Sequence, residues 1–315
     1  MNWITTLKSL GHITEAIIHF NNGIESFKTG KSTVEVSRSF SDALNKIQTE
    51  WGNCESGQAV GEVNLFQTMI LKGLGAEGRI DFLQSAELRN FVFFEPQIMD
   101  HSTLRRHQYR PDQGIEQELE KKASKKHLKV VNAYKKYSSQ QNDEVEESLI
   151  EKVAELLYVV RSNIAHGEKT PYGPDLKKKE RDEEVCKVVI PLQRLLLNIL
   201  FDYPERKLVV YGTLARGKVN HSILSDIQGR WEDCEVKGRV DEIDGLPFFY
   251  WQPSGPFLKA QLFTSSILPR RWKQIDEFEG SDYRRILIPV ARNDGINIAN
   301  IYVTDHHSEV NKWQH

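Results

Sequence analysis

Lys207-Leu208-Val209-Val210-Tyr211-Gly212-Thr213-Leu214, KLVVYGTL, is where the character of this 315-residue chain changes. Lys207 to Tyr211 is a short run containing β-branched residues that stops at a glycine, the pattern of a strand ending in a turn. Glycine at that point permits a positive φ, and consecutive backbone N–H groups can then converge on a carboxylate or carbonyl oxygen. Downstream, Glu235–Val240 and Leu258–Phe263 alternate, while Arg285–Val290 and Ile298–Val303 read as strands between Gly- and Asn-containing turns. A helix is expected near Pro269–Phe278. Together these elements predict a small mixed β-barrel or α+β domain over residues 207–304.

Upstream of KLVVYGTL the period is helical. Ile150, Val153, Leu157, Val160 and Ile164 form one apolar stripe, and Val185, Val188, Val189, Leu192, Leu195, Leu196 and Ile199 form another. Pro191 falls inside the second stripe and predicts a kink. Glu168–Asp175 (EKTPYGPD) and Gln140–Asp143 have the chemistry of connectors. Residues 52–110 mix apolar pieces with the run Phe91-Val92-Phe93-Phe94, whose aromatics read as core. The fold class expected is therefore α+β multidomain: an all-α helical bundle over 1–202, then the barrel-like domain, with the boundary between Phe201 and Arg206.

Charge and cysteine usage narrow the function classes. Forty-two basic against 44 acidic residues give a net charge of -2, which excludes a protein that coats nucleic acid along its whole length but permits a local basic groove. Lys121, Lys122, Lys125, Lys126, Lys129, Lys135 and Lys136, and the cluster Lys177–Lys179, are candidates for such a groove. Solvated helix faces interleaved with Glu are the preferred reading of both. Cys54, Cys186 and Cys234 are odd in number and far apart, so neither a disulfide framework nor a zinc site is expected, and a reducing, cytoplasmic setting is the simplest one. His12, His19, His101 and His107 match no metal-ligand spacing. Neither metal nor cofactor is called for. Met1–Phe20 lacks the pattern of a signal peptide, and Val188–Phe201, interrupted by Gln193, Arg194 and Asn198, is shorter than the ~20 residues of a membrane span.

Two short segments carry candidate chemistry. In Ile275-Asp276-Glu277-Phe278-Glu279-Gly280, Glu279 ends the expected helix and Gly280 is placed to cap it in the left-handed conformation. The helix dipole disfavours a carboxylate there, which makes Glu279 a functional candidate, with an exposed surface Glu as the ordinary alternative. In Arg161-Ser162-Asn163-Ile164-Ala165-His166-Gly167, Gly167 is placed to cap another helix, leaving His166 in its last turn. Five residues at ~100° each do not align Arg161 with His166 on an ideal helix. An ion-pairing Arg and a dipole-favoured His are the ordinary reading.

Taken in order, the YGTL loop, Asn220, Val236-Lys237-Gly238, Asp244-Gly245-Leu246-Pro247, the IDEFEG segment with Tyr283-Arg284-Arg285, and Ile301-Tyr302-Val303 resemble the γ-glutamylcyclotransferase-like superfamily over Lys207–Val303. The resemblance implies a small mixed barrel that binds a γ-glutamyl compound. The glutamyl α-amine attacks its own γ-carbonyl and releases 5-oxoproline. It implies Glu279 as general base and Tyr211, Gly212, Thr213, Leu214 and Tyr283 as substrate-binding residues. Two departures stand out: Lys259-Ala260-Gln261-Leu262-Phe263 replaces a Gly-Glu-Leu-Tyr type strand, and Phe248–Pro256 (FFYWQPSGP) is unusually aromatic.

The Arg-x4-His element resembles the HEPN superfamily of helical domains, best over Ile115–Phe201. That resemblance implies a homodimer, RNA as a partner, and metal-independent ribonuclease chemistry in which Arg161 stabilises phosphate and His166 transfers protons. Ser162 stands where the family usually has Asn, Asp or His. The pairing points to a defence or toxin–antitoxin setting. A regulatory cyclotransferase-like domain on a ribonuclease, and a non-enzymatic dimerisation scaffold carrying a binding barrel, are the alternatives.

Overall fold

The computed structural model describes Trp3 and residues 11–54, 61–94, 115–167, 176–243, 246–293 and 295–304. The chain is α+β and divides into two compact units, residues 18–200 and residues 201–315 with 1–17. Glu168–Asp175, His101 and His107 lie outside the described residues.

The unit 18–200 is helical. It takes in α1 (Gly11–Lys28, from residue 18), α2 (Thr33–Cys54), α3 (Glu62–Gly73), α4 (Gly75–Gln84), α5 (Ala86–Val92), α6 (Ile115–Ser139), α7 (Asp143–Gly167) and α8 (Leu176–Leu200). Local chemistry sets several starts. Ser32 and Glu35 form a reciprocal capping box at α2: the Ser32 amide donates to Glu35 Oε2 at 3.3 Å and the Glu35 amide to Ser32 Oγ at 3.3 Å. Asn142 Oδ1 accepts from the Val145 amide at 3.0 Å, which starts α7 directly after the Gln140–Asn142 connector. The stripe from Ile150 to Ile164 is buried, with α7 packed against α3 and α6, while α2 packs on α8. Gln193 is polar yet buried because it accepts from Ser37 Oγ at 3.0 Å and donates to Ser41 Oγ at 2.8 Å, so its polar atoms are paired across two helices. Pro191 lies on the exposed side of α8, which continues through it to Leu200. Phe91 is buried as expected of core, whereas Phe93 is 47% exposed and meets Tyr134 edge-on. α7 runs through Gly167, so that glycine lies within the helix and not beyond its end.

The other unit is built on β1 (Lys207–Val210), β2 (Arg230–Ile243), β3 (Leu246–Trp251), β4 (Phe257–Thr264), β5 (Tyr283–Arg292) and β6 (Gly295–Thr304). Strand order is β3-β2-β4-β1-β6-β5, and a β2–β5 pairing at Glu235↔Ala291 closes the barrel. β1 and β6 are parallel; the other pairings are antiparallel. Period two then sorts side chains between two cores. Val209, Leu262, Ile301 and Val303 point into the barrel with Phe249 and Ile288. Leu208, Val210, Phe263 and Tyr302 point outward, under α9 (Ser222–Ser225) and α10 (Leu268–Glu279) with Trp272 and Ile275. No helix among the described residues is long and apolar enough to cross a membrane.

Candidate active site

β1 ends at Val210, and alternation turns Tyr211 toward the barrel interior, its ring 5.2 Å from that of Phe249. Its hydroxyl donates to the Tyr302 carbonyl at 3.1 Å. The chain then tightens into a loop held by four hydrogen bonds. Ala215 N donates to Gly212 O at 3.1 Å, Asn220 N to Thr213 O at 3.0 Å, Asn220 Nδ2 to Thr213 Oγ1 at 3.1 Å, and Arg216 N to Gln261 Oε1 at 3.0 Å. A ring nitrogen of His221 also lies 3.3 Å from Leu214 O. The backbone amides of Gly212, Thr213 and Leu214 engage no acceptor among the described residues. These are the free donors that a bound carboxylate or developing oxyanion requires.

Gly212 is needed for a reason other than the one expected. Its φ is not positive; instead, a Cβ at this position would lie 2.9 Å from Pro247 Cγ. The residue is small because Pro247, at the start of β3, closes the wall beside it. At the other wall, α10 ends on Glu279. Gly280 has φ +76° and ψ −169°, a combination essentially restricted to glycine, rather than the left-handed helical cap expected.

Tyr211, Gly212, Thr213, Leu214, Glu279 and Tyr283 line one cleft, together with Pro247, Tyr302 and the end of β1. The cleft is open to solvent and, with that open space counted, spans about 430 Å³. No Lys or Arg lines it among the described residues. Glu279 is half-buried, and burial, followed by the Asp276 charge one turn back on α10, raises it from its ordinary 4.5 to about 7. Asp276 is held in place from two strands. Arg285 Nε and Nη2 donate to its two oxygens at 2.9 and 3.1 Å, and Tyr302 Oη donates at 2.6 Å. The Arg285 guanidinium lies 4.1 Å from the Trp272 ring centre. Tyr283 stacks flat on Phe248 with ring centres 5.4 Å apart, and burial, then the Glu279 charge, raises its phenol. A base half-protonated near neutrality beside a cradle of free amides can take a proton from an amine and stabilise charge on a carbonyl oxygen.

Residues 208–315 match the family described as gamma-glutamyl cyclotransferase, AIG2-like. Among the solved structures similar to part of this chain are three of low identity. An uncharacterized protein from Pyrococcus horikoshii is 24% identical over 31% of this chain and 76% of its own, with a TM-score of 0.25. YkqA from Bacillus subtilis is 22% identical over 32% and 36%, with a TM-score of 0.27. An aig2-like protein from Mus musculus is 20% identical over 33% and 80%, with a TM-score of 0.27. No curated protein matches the chain.

Three residues of the cleft and its support, Pro247, Tyr302 and Asp276, sit inside the sequence motifs but carried no assigned role there. Alternation along Ile301-Tyr302-Val303 was the available signal for Tyr302, since a tyrosine between two barrel-facing residues must face α10. Phe248–Trp251 belongs to β3, paired with β2 from Gly238↔Trp251 to Ile243↔Leu246.

Arg161 lies in the helical unit, in a closed network. Its Nη1 donates to Gln48 Oε1 at 2.9 Å, and its guanidinium lies 4.5 Å from the Tyr158 ring centre and 5.3 Å from that of Phe66. Tyr158 Oη in turn donates to Glu62 Oε2 at 2.6 Å, and Gln48 Nε2 to Glu62 O at 2.8 Å. The side chain of His166 lies outside the described residues. Lys125, Lys129, Lys135 and Lys136 are exposed along α6, whereas Lys126 pairs with Glu155 at 3.0 Å. No group of residues able to hold a metal ion occurs among the described residues.

Proposed function

We propose that the cleft of the AIG2-like domain catalyses intramolecular aminolysis of a γ-glutamyl compound, releasing 5-oxoproline and an amine, with Glu279 as general base. One observation carries this reading: Glu279, raised to about 7, shares a small cleft with the free amides of Gly212–Leu214. Holding the substrate folded supplies the entropic part of the acceleration, because nucleophile and carbonyl belong to one molecule. Glu279 accepts a proton from the α-ammonium, and the freed amine attacks the γ-carbonyl carbon. The amides of Gly212–Leu214 receive the developing oxyanion. The bond to the leaving nitrogen then breaks as that nitrogen gains protons. Two protons leave the α-nitrogen and two arrive at the leaving nitrogen, so Glu279 ends ionised, as it began. A cytoplasmic setting is part of this reading. The test is 5-oxoproline release from a panel of γ-glutamyl amines and amino acids, with Glu279→Gln lowering the rate at least 100-fold, the lower end of what one general base contributes (about 10²–10⁴). A panel that yields nothing above the variant's background rejects it.

For the helical unit, a homodimeric HEPN-like ribonuclease that acts on RNA through Arg161 and His166, with its link to defence, competes with a non-catalytic scaffold. The stacking of Arg161 on Tyr158 and Phe66 favours the scaffold, because the guanidinium is already engaged within its own chain.

A further inference from the structure

The cleft that takes a γ-glutamyl head group has an asymmetry of charge. Its described lining residues include one carboxylate, Glu279, three tyrosines and the Gly212–Leu214 loop, with no lysine or arginine. A glutamyl head group enters as a zwitterion, its ammonium offsetting Glu279 and its carboxylate finding neutral donors. Cyclisation removes the ammonium and keeps the carboxylate, whose ordinary pKa of about 3.5 leaves it charged at any working pH. The product is therefore an anion lying in a cleft whose one charged wall is an anion.

We propose that Glu279 serves as an electrostatic gate for the product as well as a base, its ionised form expelling 5-oxoproline so that the cleft holds the product only when Glu279 carries a proton. The proposal rests on the γ-glutamyl reading of the site and adds the regulation of that site by its own product. The other groups facing Glu279 do not provide the same switch. Asp276 on the same helix is tied to Arg285 of β5 and Tyr302 of β6. Burial is the largest cause raising the phenols of Tyr211, Tyr283 and Tyr302, which therefore stay neutral across the range where Glu279 titrates. His221 touches the loop at the Leu214 carbonyl and is the group that must be separated experimentally.

With Glu279 half-protonated near pH 7, the competent fraction falls about tenfold between pH 6 and pH 8, and apparent affinity falls with it. The experiment is calorimetric titration of the full chain with 5-oxoproline and with its uncharged carboxamide at pH 6, 7 and 8. The expected result is a Kd for 5-oxoproline about tenfold weaker at pH 8 than at pH 6, a carboxamide Kd that changes less than twofold, and loss of the pH dependence in Glu279→Gln. A pH dependence that persists in Glu279→Gln and disappears in His221→Gln assigns the effect to His221 and overturns the inference. Binding of 5-oxoproline that does not vary with pH also overturns it, and leaves the γ-glutamyl reading standing. Absence of binding by both ligands at all three pH values overturns the inference as well, while the γ-glutamyl reading stands or falls separately on 5-oxoproline release from the substrate panel.

Discussion

Glu279 occupies the end of a helix where the dipole is least favourable to a carboxylate, in a half-buried cleft with Asp276 one turn away. All three effects act in the same direction, against the charged form. The folded residue therefore holds its proton to about pH 7, whereas the unfolded one releases it near 4.5. Across that window the folded state binds more protons, so stability falls as pH rises through it; the penalty is complete above pH 7 and absent below 4.5. The size of the shift caps the penalty at about 3 kcal/mol, and solvent screening of a half-buried group brings the expected value to about 1–2 kcal/mol. Glu279→Gln should raise the melting temperature at pH 8 and leave it unchanged at pH 4.5. Equal melting curves at both pH values would show that Glu279 is not destabilised in the fold. Asp276→Asn removes the second cause and leaves the first. The acid limb of the pH–rate profile should move to lower pH, by less than the full displacement from 4.5, and an unmoved limb would remove Asp276 from the site's electrostatics.

At the scale of elements, the meeting of the β1 loop with β3 is the tightest geometric demand on the site. An added methyl group at residue 212 would press on the Pro247 ring at 2.9 Å, and a ring fixed at the start of a strand has little room to yield. Gly212→Ala should cost about 1–3 kcal/mol, as overpacking does, and displace the amides of 212–214. Turnover should fall more than thermal stability, measured by 5-oxoproline release against melting temperature; a variant with full turnover would show that the loop tolerates the shift. β1 and β6, buried on both faces, were legible only as short runs between turns, while β4 could be read from the chain because Leu258, Ala260 and Leu262 face the barrel in alternation with Lys259 and Gln261. β3 was silent for the opposite reason. Phe249 fills the barrel while Phe248 stacks on Tyr283, so both faces are aromatic and no period survives. The place of Glu279 at the end of α10 was legible in the chain, and the structure puts it on the cleft. Asp276 could not be assigned, because its role depends on Arg285 and Tyr302, brought to it from two later strands. The glycine of the YGTL loop was legible as necessary but for the wrong cause, since the close approach of Pro247 is a tertiary fact.

At the scale of the whole molecule, Arg161 decides between the catalytic and the scaffold reading of the helical unit. A phosphate-binding arginine needs a guanidinium free to offer its fork to a ligand. Here the fork already meets Gln48, and its faces meet Tyr158 and Phe66, contributed by three different helices. In the scaffold reading, that arrangement makes Arg161 a strut between α2, α3 and α7. Cutting it to alanine loses the stacking and leaves Gln48 Oε1 without this donor, for an expected loss of about 2–3 kcal/mol. Lysine keeps the charge but lacks the planar fork, so Arg161→Lys should recover only part of the loss. The measurement is urea unfolding of the full chain followed by helix circular dichroism, beside a metal-free RNA cleavage assay on the same preparations. A strut gives a lower unfolding midpoint in Arg161→Ala, an intermediate one in Arg161→Lys, and no cleavage by the parent protein to lose. A catalytic arginine gives the reverse: cleavage by the parent chain, abolished in both variants, with unfolding midpoints that do not move. The two outcomes separate because stacking energy is felt by the folded chain whether or not RNA is present, whereas phosphate stabilisation is felt only during turnover.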